Sequence, residues 1–114
     1  MKTTLYICTM KVLVKKTILF YINLYPSASK QILIWNQEFI KGNFKNFNEL
    51  KSVYRNASIV SNNRVVFNIK GNEFRLVVSI NFLQNACYII WFGTHKEYDK
   101  INVETINFDI KILN

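Results

Sequence analysis

Two cysteines, one proline, three glycines, one histidine and seven acidic residues are all that this 114-residue chain holds of those types. Each scarcity excludes something. Cys8 and Cys87 lie far apart, with no paired-ligand spacing, so neither a disulfide scaffold nor a zinc site is expected. A reducing, cytoplasmic setting is the corresponding expectation. One histidine and no acidic cluster leave no basis for a protein-built metal centre, and no cofactor is expected. With Pro26 alone and little glycine, no long flexible linker is visible.

What remains is apolar and basic. Half of the residues are hydrophobic and 15% aromatic, so one domain of this length can bury a substantial core. Fifteen Lys and Arg residues give a formal net charge of +8. Seven of them fall between Lys41 and Arg75, against only Glu49 and Glu73. This balance favours an anionic partner, although a solvated cationic face accounts for it equally well. Lys15-Lys16, the apolar run Thr17 to Tyr25 and Pro26-Ser27-Ala28-Ser29 imitate a secretory leader. The run is short, aromatic and broken by Asn23, so it reads neither as a signal peptide nor as a membrane span.

Residues 1–9 show no pattern and read as an extension before a single domain, 10–114. Lys11 to Val14 reads as a strand. Ile18, Tyr21, Ile22 and Tyr25 recur at helical spacing, and Pro26 ends or kinks that helix. Ser27 is the expected N-cap of a second helix, to about Ile40, which buries Ala28, Ile32, Trp35 and Phe39, with Gly42 as its stop. Asn46 or Asn48 is placed to cap a short helix ending near Tyr54. A weak strand at Ile59-Val60 leads into a turn at Ser61-Asn62-Asn63.

Three apolar runs follow, from Val65 to Thr94, joined by turns at Lys70-Gly71-Asn72 and around Gln84-Asn85. Alternation puts Val65, Phe67 and Ile69, and Phe74, Leu76, Val78, Ile80 and Phe82, on the core side. Arg75, Val77, Ser79 and Asn81 then face outward, on a surface that Arg64, Asn68 and Lys70 also reach. The last run is ambiguous, because Cys87-Ile89-Trp91 and Tyr88-Ile90-Phe92 are both apolar. Thr94 with Glu97 three residues on is a capping-box signature for a helical turn carrying His95 and Tyr98. The tail from Ile101 to Asn114 alternates loosely and fits either an edge strand or a loose end.

Arg75, centred on a rigid strand, offers a planar fork matched to phosphate oxygens; a strand arginine can equally serve solubility alone. Histidine, with an ordinary pKa of about 6.5, is the natural proton shuttle near neutrality. Tyr98, one helical turn beyond His95, is placed to stack on a base, hold a phosphate or pack in the core. Together these groups permit metal-free RNA cleavage. The 2′-hydroxyl is an internal nucleophile, and an enzyme need add only a proton acceptor, a proton donor and a cation.

Asn63-Arg64-Val65-Val66-Phe67-Asn68-Ile69-Lys70-Gly71-Asn72-Glu73-Phe74-Arg75-Leu76-Val77-Val78 and Gly93-Thr94-His95-Lys96-Glu97-Tyr98-Asp99 resemble the two hallmark blocks of HigB-type toxins, within the RelE superfamily. The resemblance spans roughly Met10 to Ile106. It implies an α+β, RelE-like fold: an N-terminal strand and a two-helix hairpin on a curved antiparallel sheet. It also implies a toxin of a type II toxin–antitoxin system that cuts mRNA on the ribosome. The implied partner is a HigA-type helix-turn-helix antitoxin, through which alone the toxin meets operator DNA. Arg75, His95 and Tyr98 match the catalytic positions. Lys45, Arg64, Asn68, Lys70 and Asn72 are the RNA-binding candidates. The chain departs from the pattern at Ile90 and Ser79, where related sequences commonly carry cations. A catalytically weakened antitoxin- or RNA-binding protein is therefore the alternative, and a general basic RNA-binding module a third reading.

Overall fold

A computed structural model describes residues 11–13 and 15–107. The expectations for residues 1–9, for Cys8 and for the tail from 108 onward lie outside the described residues. Ten short elements follow one another, among them the strands β1 (Lys11–Leu13), β2 (Ser58–Val60), β3 (Arg64–Ile69), β4 (Phe74–Asn81) and β5 (Ala86–Thr94). The helices are α1 (Lys15–Leu24), α2 (Ser29–Phe39), α3 (Phe47–Val53) and α4 (His95–Tyr98), with a 3-10 turn at Pro26–Ala28. The strands form one sheet in the order β1-β5-β4-β3-β2.

The strands from β2 to β5 make an antiparallel meander, whereas β1 pairs with β5 in parallel, Val12 opposite Cys87. The sheet is thus mixed rather than wholly antiparallel. The helical crossover between β1 and the meander permits this, because a parallel neighbour needs a long connection and not a hairpin. Both tight turns use left-handed backbone where asparagine and glycine tolerate it: Asn62 and Asn63 before β3, Gly71 before β4. Lys70 shares that conformation, with φ 55°, and Asn85 closes the β4–β5 turn.

The helices cover one face of the sheet, α1 against β5 and α2 against β3. Ile18, Tyr21, Ile32, Trp35 and Phe39 meet Val65, Phe67, Leu76, Val78 and Phe92 there, all buried. Burying a side chain such as Phe39 or Leu50 stabilises the fold by roughly 2–3 kcal/mol. Trp35 stacks on Phe39 at 5.0 Å. The leader-like stretch is therefore a core helix. Asn46 caps α3 by accepting from the Glu49 N–H at 2.9 Å.

Ser27 does not cap α2. The chain makes one 3-10 turn first, which buries Ala28, and α2 begins at Ser29 with Ala28 at the cap position. Pro26 at the head of that turn explains the delay, since its fixed φ starts a tight turn without needing a donor. Gly42 does follow the end of α2, but not through a left-handed φ. A Cβ there would come within 2.3 Å of the Phe44 ring, so glycine is needed for close approach.

Candidate active site

The second face of the sheet carries the candidate chemistry. It holds Arg75, Val77 and Ser79 of β4, with Asn68, Val66 and Arg64 opposite them on β3. On β5 the cross-strand neighbours of Arg75, Val77 and Ser79 are Gly93, Trp91 and Tyr88. The register slips between Val77 and Val78, because Ile90 is one residue more than β4 can match. This bulge resolves the ambiguous run: Cys87, Ile89 and Phe92 face the core, while Tyr88 and Trp91 face the other way.

This face is not bare: Val66 and Val77 are buried, and residues 103–107 are held to it through Arg64. Arg64 is buried too, at 8% exposure. Its guanidinium donates to the Val103 carbonyl at 2.8 Å, to the Ile106 carbonyl and to Asn107 Oδ1 at 3.1 Å. Ser61 and Asn62 add bonds to Glu104, the latter at 2.9 Å to its carbonyl. The expectation of an outward Arg64 is corrected here: its charge is spent holding the C-terminal segment to the sheet.

The opposite end of the same face is open. Arg75 is half-buried, and its Nη1 donates to the carbonyls of Phe74, at 3.1 Å, and Asn72, at 3.3 Å. The other guanidinium nitrogens have no hydrogen-bond partner among the described residues. Glu73 pairs with Lys70 at 3.4 Å rather than with Arg75. The Tyr98 hydroxyl titrates above its ordinary range because burial disfavours the phenolate; the positive charge of Arg75 opposes that shift and Asp99 adds to it. Arg75 and Tyr98 are therefore electrostatic neighbours. Tyr98 also contacts Trp91, with ring centroids 6.3 Å apart.

His95 is exposed, and its Nε2 lies 3.5 Å from Asp99 Oδ2, one turn along the chain. The backbone N–H of His95 donates to the Glu73 carbonyl at 2.9 Å, tying the start of α4 to the β3–β4 hairpin. Arg75 and the start of α4 therefore meet at one end of the sheet, where the His95 side chain lines a cavity with Ser27, Glu73 and Phe74. Lys70 lies at the hairpin tip and also reaches the Ser27 carbonyl, at 3.3 Å. Lys45 stands apart, in the connection between α2 and α3.

The placement of α4 depends on residues that sequence reasoning did not single out as a set. Thr94 and Glu97 make the expected capping box. The Tyr25 hydroxyl, from beyond the end of α1, donates to the same Glu97 carboxylate at 2.6 Å. That bond and the capping interactions hold the Glu97 carboxyl below its usual range. Tyr25 itself is pushed well up, by burial and by its carboxylate partner. Gly93 completes the support: a Cβ there would meet the Trp91 ring at 2.6 Å and Glu97 at 2.9 Å. Asp99 was findable from its four-residue spacing to His95; the Tyr25 contact, 72 residues long, left no local signal. The Cys87 thiol is buried, and burial pushes its pKa well up, so it is inert. No helix among the described residues is long and apolar enough to cross a membrane.

A sheet that carries a basic and aromatic end beside a short capped helix is the arrangement expected of a RelE-like toxic component of a toxin–antitoxin system. Residues 28–101 match the family model described in those words, the HigB toxin, and the chain belongs to that family. It is 35% identical over 77 residues to the mRNA interferase toxin HigB of Escherichia coli K12, covering 66% of this chain and 74% of that protein. The proteins called mRNA interferase HigB in Escherichia coli O157:H7 and Shigella flexneri match to the same extent.

Proposed function

We propose that this toxin is a ribosome-dependent mRNA endonuclease of the cytoplasm that cuts without a metal ion. The observation that carries the reading is the meeting of Arg75 with the start of α4 at one end of the sheet, which brings a phosphate-binding cation to the helical turn that carries two proton-transfer groups. One of His95 and Tyr98 takes the proton of the 2′-hydroxyl. The O2′–P bond forms and the P–O5′ bond breaks. The leaving 5′-oxygen receives a proton from the other group, and Arg75 stabilises the charge that grows on the phosphoryl oxygens. The products are a 2′,3′-cyclic phosphate and a 5′-hydroxyl. Asp99 orients His95, and Asn68, Lys70 and Asn72 hold the flanking RNA. Lys45, outside this cluster, serves as a contact to ribosomal or messenger RNA backbone. A HigA-type helix-turn-helix antitoxin neutralises the toxin, and operator DNA is reached only through that complex.

Induction of the chain is expected to arrest growth and to produce cut transcripts during translation, mapped by primer extension. Arrest that persists in Arg75→Ala and His95→Ala proteins would remove the catalytic assignment. A second reading, an antitoxin- or RNA-binding protein with weakened cleavage, draws on Ile90 at the bulge and Ser79 opposite Arg64. Apolar and neutral side chains stand there instead of phosphate-binding charge. Antitoxin binding with intact transcripts is its signature.

A further inference from the structure

Beside Arg75, but lined by none of the groups proposed for cleavage, lies a cavity of about 540 Å³. It forms where β2 stops pairing with β3, so that the 54–57 loop and the 70–73 turn become its two walls. We propose that this cavity seats one base of the RNA substrate and reads its edge with asparagine amides, which makes it a specificity site for the proposed cleavage. The inference rests on that reading of the function and adds to it.

The lining has the chemistry of a nucleobase site. Tyr54, half-buried, contributes aromatic surface, backed by the buried ring of Phe67 5.0 Å away. Asn56, Asn68 and Asn72 stand exposed at the rim, each with an amide that both donates and accepts. Arg55 adds a cation for a phosphate. Aromatic surface edged with amides suits a planar heterocycle, because stacking tolerates any base while amides discriminate the edges.

The cavity is continuous with the chemistry. Asn68 is the cross-strand neighbour of Arg75, and the Asn72 carbonyl accepts from Arg75 Nη1. A base held here places its own or the adjoining phosphate against the guanidinium. The wall is also preformed: Lys51 Nζ donates to the Arg55 carbonyl at 2.7 Å and to the Ala57 carbonyl, pinning the loop. The neighbouring cavity on the other side of Tyr54, about 700 Å³, is lined by Glu38, Glu49 and Lys41 and so lacks the uncompensated cation that Arg55 gives the asparagine side.

The test uses the full chain carrying Arg75→Ala, so that it does not cut, and the four 5′-ribonucleoside monophosphates. The side-chain amides of Asn56, Asn68 and Asn72 are followed by NMR. Saturable shifts at these amides are expected, with affinity differing between bases by about tenfold. Shifts confined to exposed lysines, or equal for all four bases, would overturn the proposal. In the cutting protein, Asn56→Ala is expected to change the base composition around cleavage sites mapped on transcripts. Unchanged cleavage sites would also overturn it. If the unmutated chain cuts no transcript at all, the endonuclease reading fails, while the nucleotide titration still decides the pocket.

Discussion

Arg64 and Arg75 sit on adjacent strands, on the same face of one sheet, at its two ends. One is sealed under residues 103–107 and bonded to two carbonyls and the Asn107 side chain; the other is half-open beside a tyrosine it influences. The residue type and its place in the alternation are the same, so neither separates a structural arginine from one proposed for catalysis. What separates them is which segment returns over the sheet. A guanidinium covered by backbone carbonyls becomes a clasp, whereas one left beside ionisable side chains remains available to a ligand.

The contrast breaks most visibly by removing Arg75. Arg75→Ala is expected to lower transcript cleavage by about 100- to 1,000-fold, as loss of a donor to a transition-state oxyanion does. Urea unfolding of the same protein should change by less than about 1 kcal/mol, because the bonds lost are to the partly exposed hairpin. Arg64→Ala should do the reverse. It removes three hydrogen bonds of a buried guanidinium and is expected to cost about 2–4 kcal/mol in the same unfolding measurement. If Arg64→Ala unfolds like the parent, the clasp description is wrong.

Gly93→Ala sharpens the contrast at the support of the open end. The added methyl displaces the Trp91 ring or the Glu97 carboxylate, at a cost of about 1–3 kcal/mol, read as a lower urea midpoint. Tyr25→Phe should be milder, about 1 kcal/mol, since it removes one charge-assisted bond to Glu97. The same bond sets a pH dependence. The Glu97 pKa is depressed in the folded protein, so its contribution is complete above the ordinary glutamate range and is lost as pH falls through the lowered value. Stability measured through that acidic window should fall less steeply in Tyr25→Phe than in the parent.

Much of this architecture was legible because turn chemistry brackets the strands. The asparagines at 62 and 63 and Gly71 mark the ends of β3, and alternation then assigns the core faces of β3 and β4. The strand β5 defeated alternation for a physical reason. A bulge at Ile90 switches the phase halfway, so each of the two candidate stripes is right for only part of its length. Pro26 concealed the true start of α2, since a 3-10 turn and the first turn of a helix share their opening residues. Of the site, Arg75 and the helical turn that carries His95 and Tyr98 lie at the same end of the sheet, and their roles rest on the proposal above. Arg64 was misjudged because its acceptors, two backbone carbonyls and the Asn107 side chain, lie about forty residues away, beyond any local signal.

The parallel pairing of β1 with β5 bears on how the toxin is made. While the chain is being synthesised, Lys11–Leu13 has no neighbour until Ala86–Tyr88 has left the exit tunnel. Of the groups proposed for cleavage, Arg75 precedes that stretch, while His95 and Tyr98 follow it. Closure of this long-range contact is a slow, entropically costly step. The edge of β5 that β1 covers is therefore among the last parts of the sheet to close.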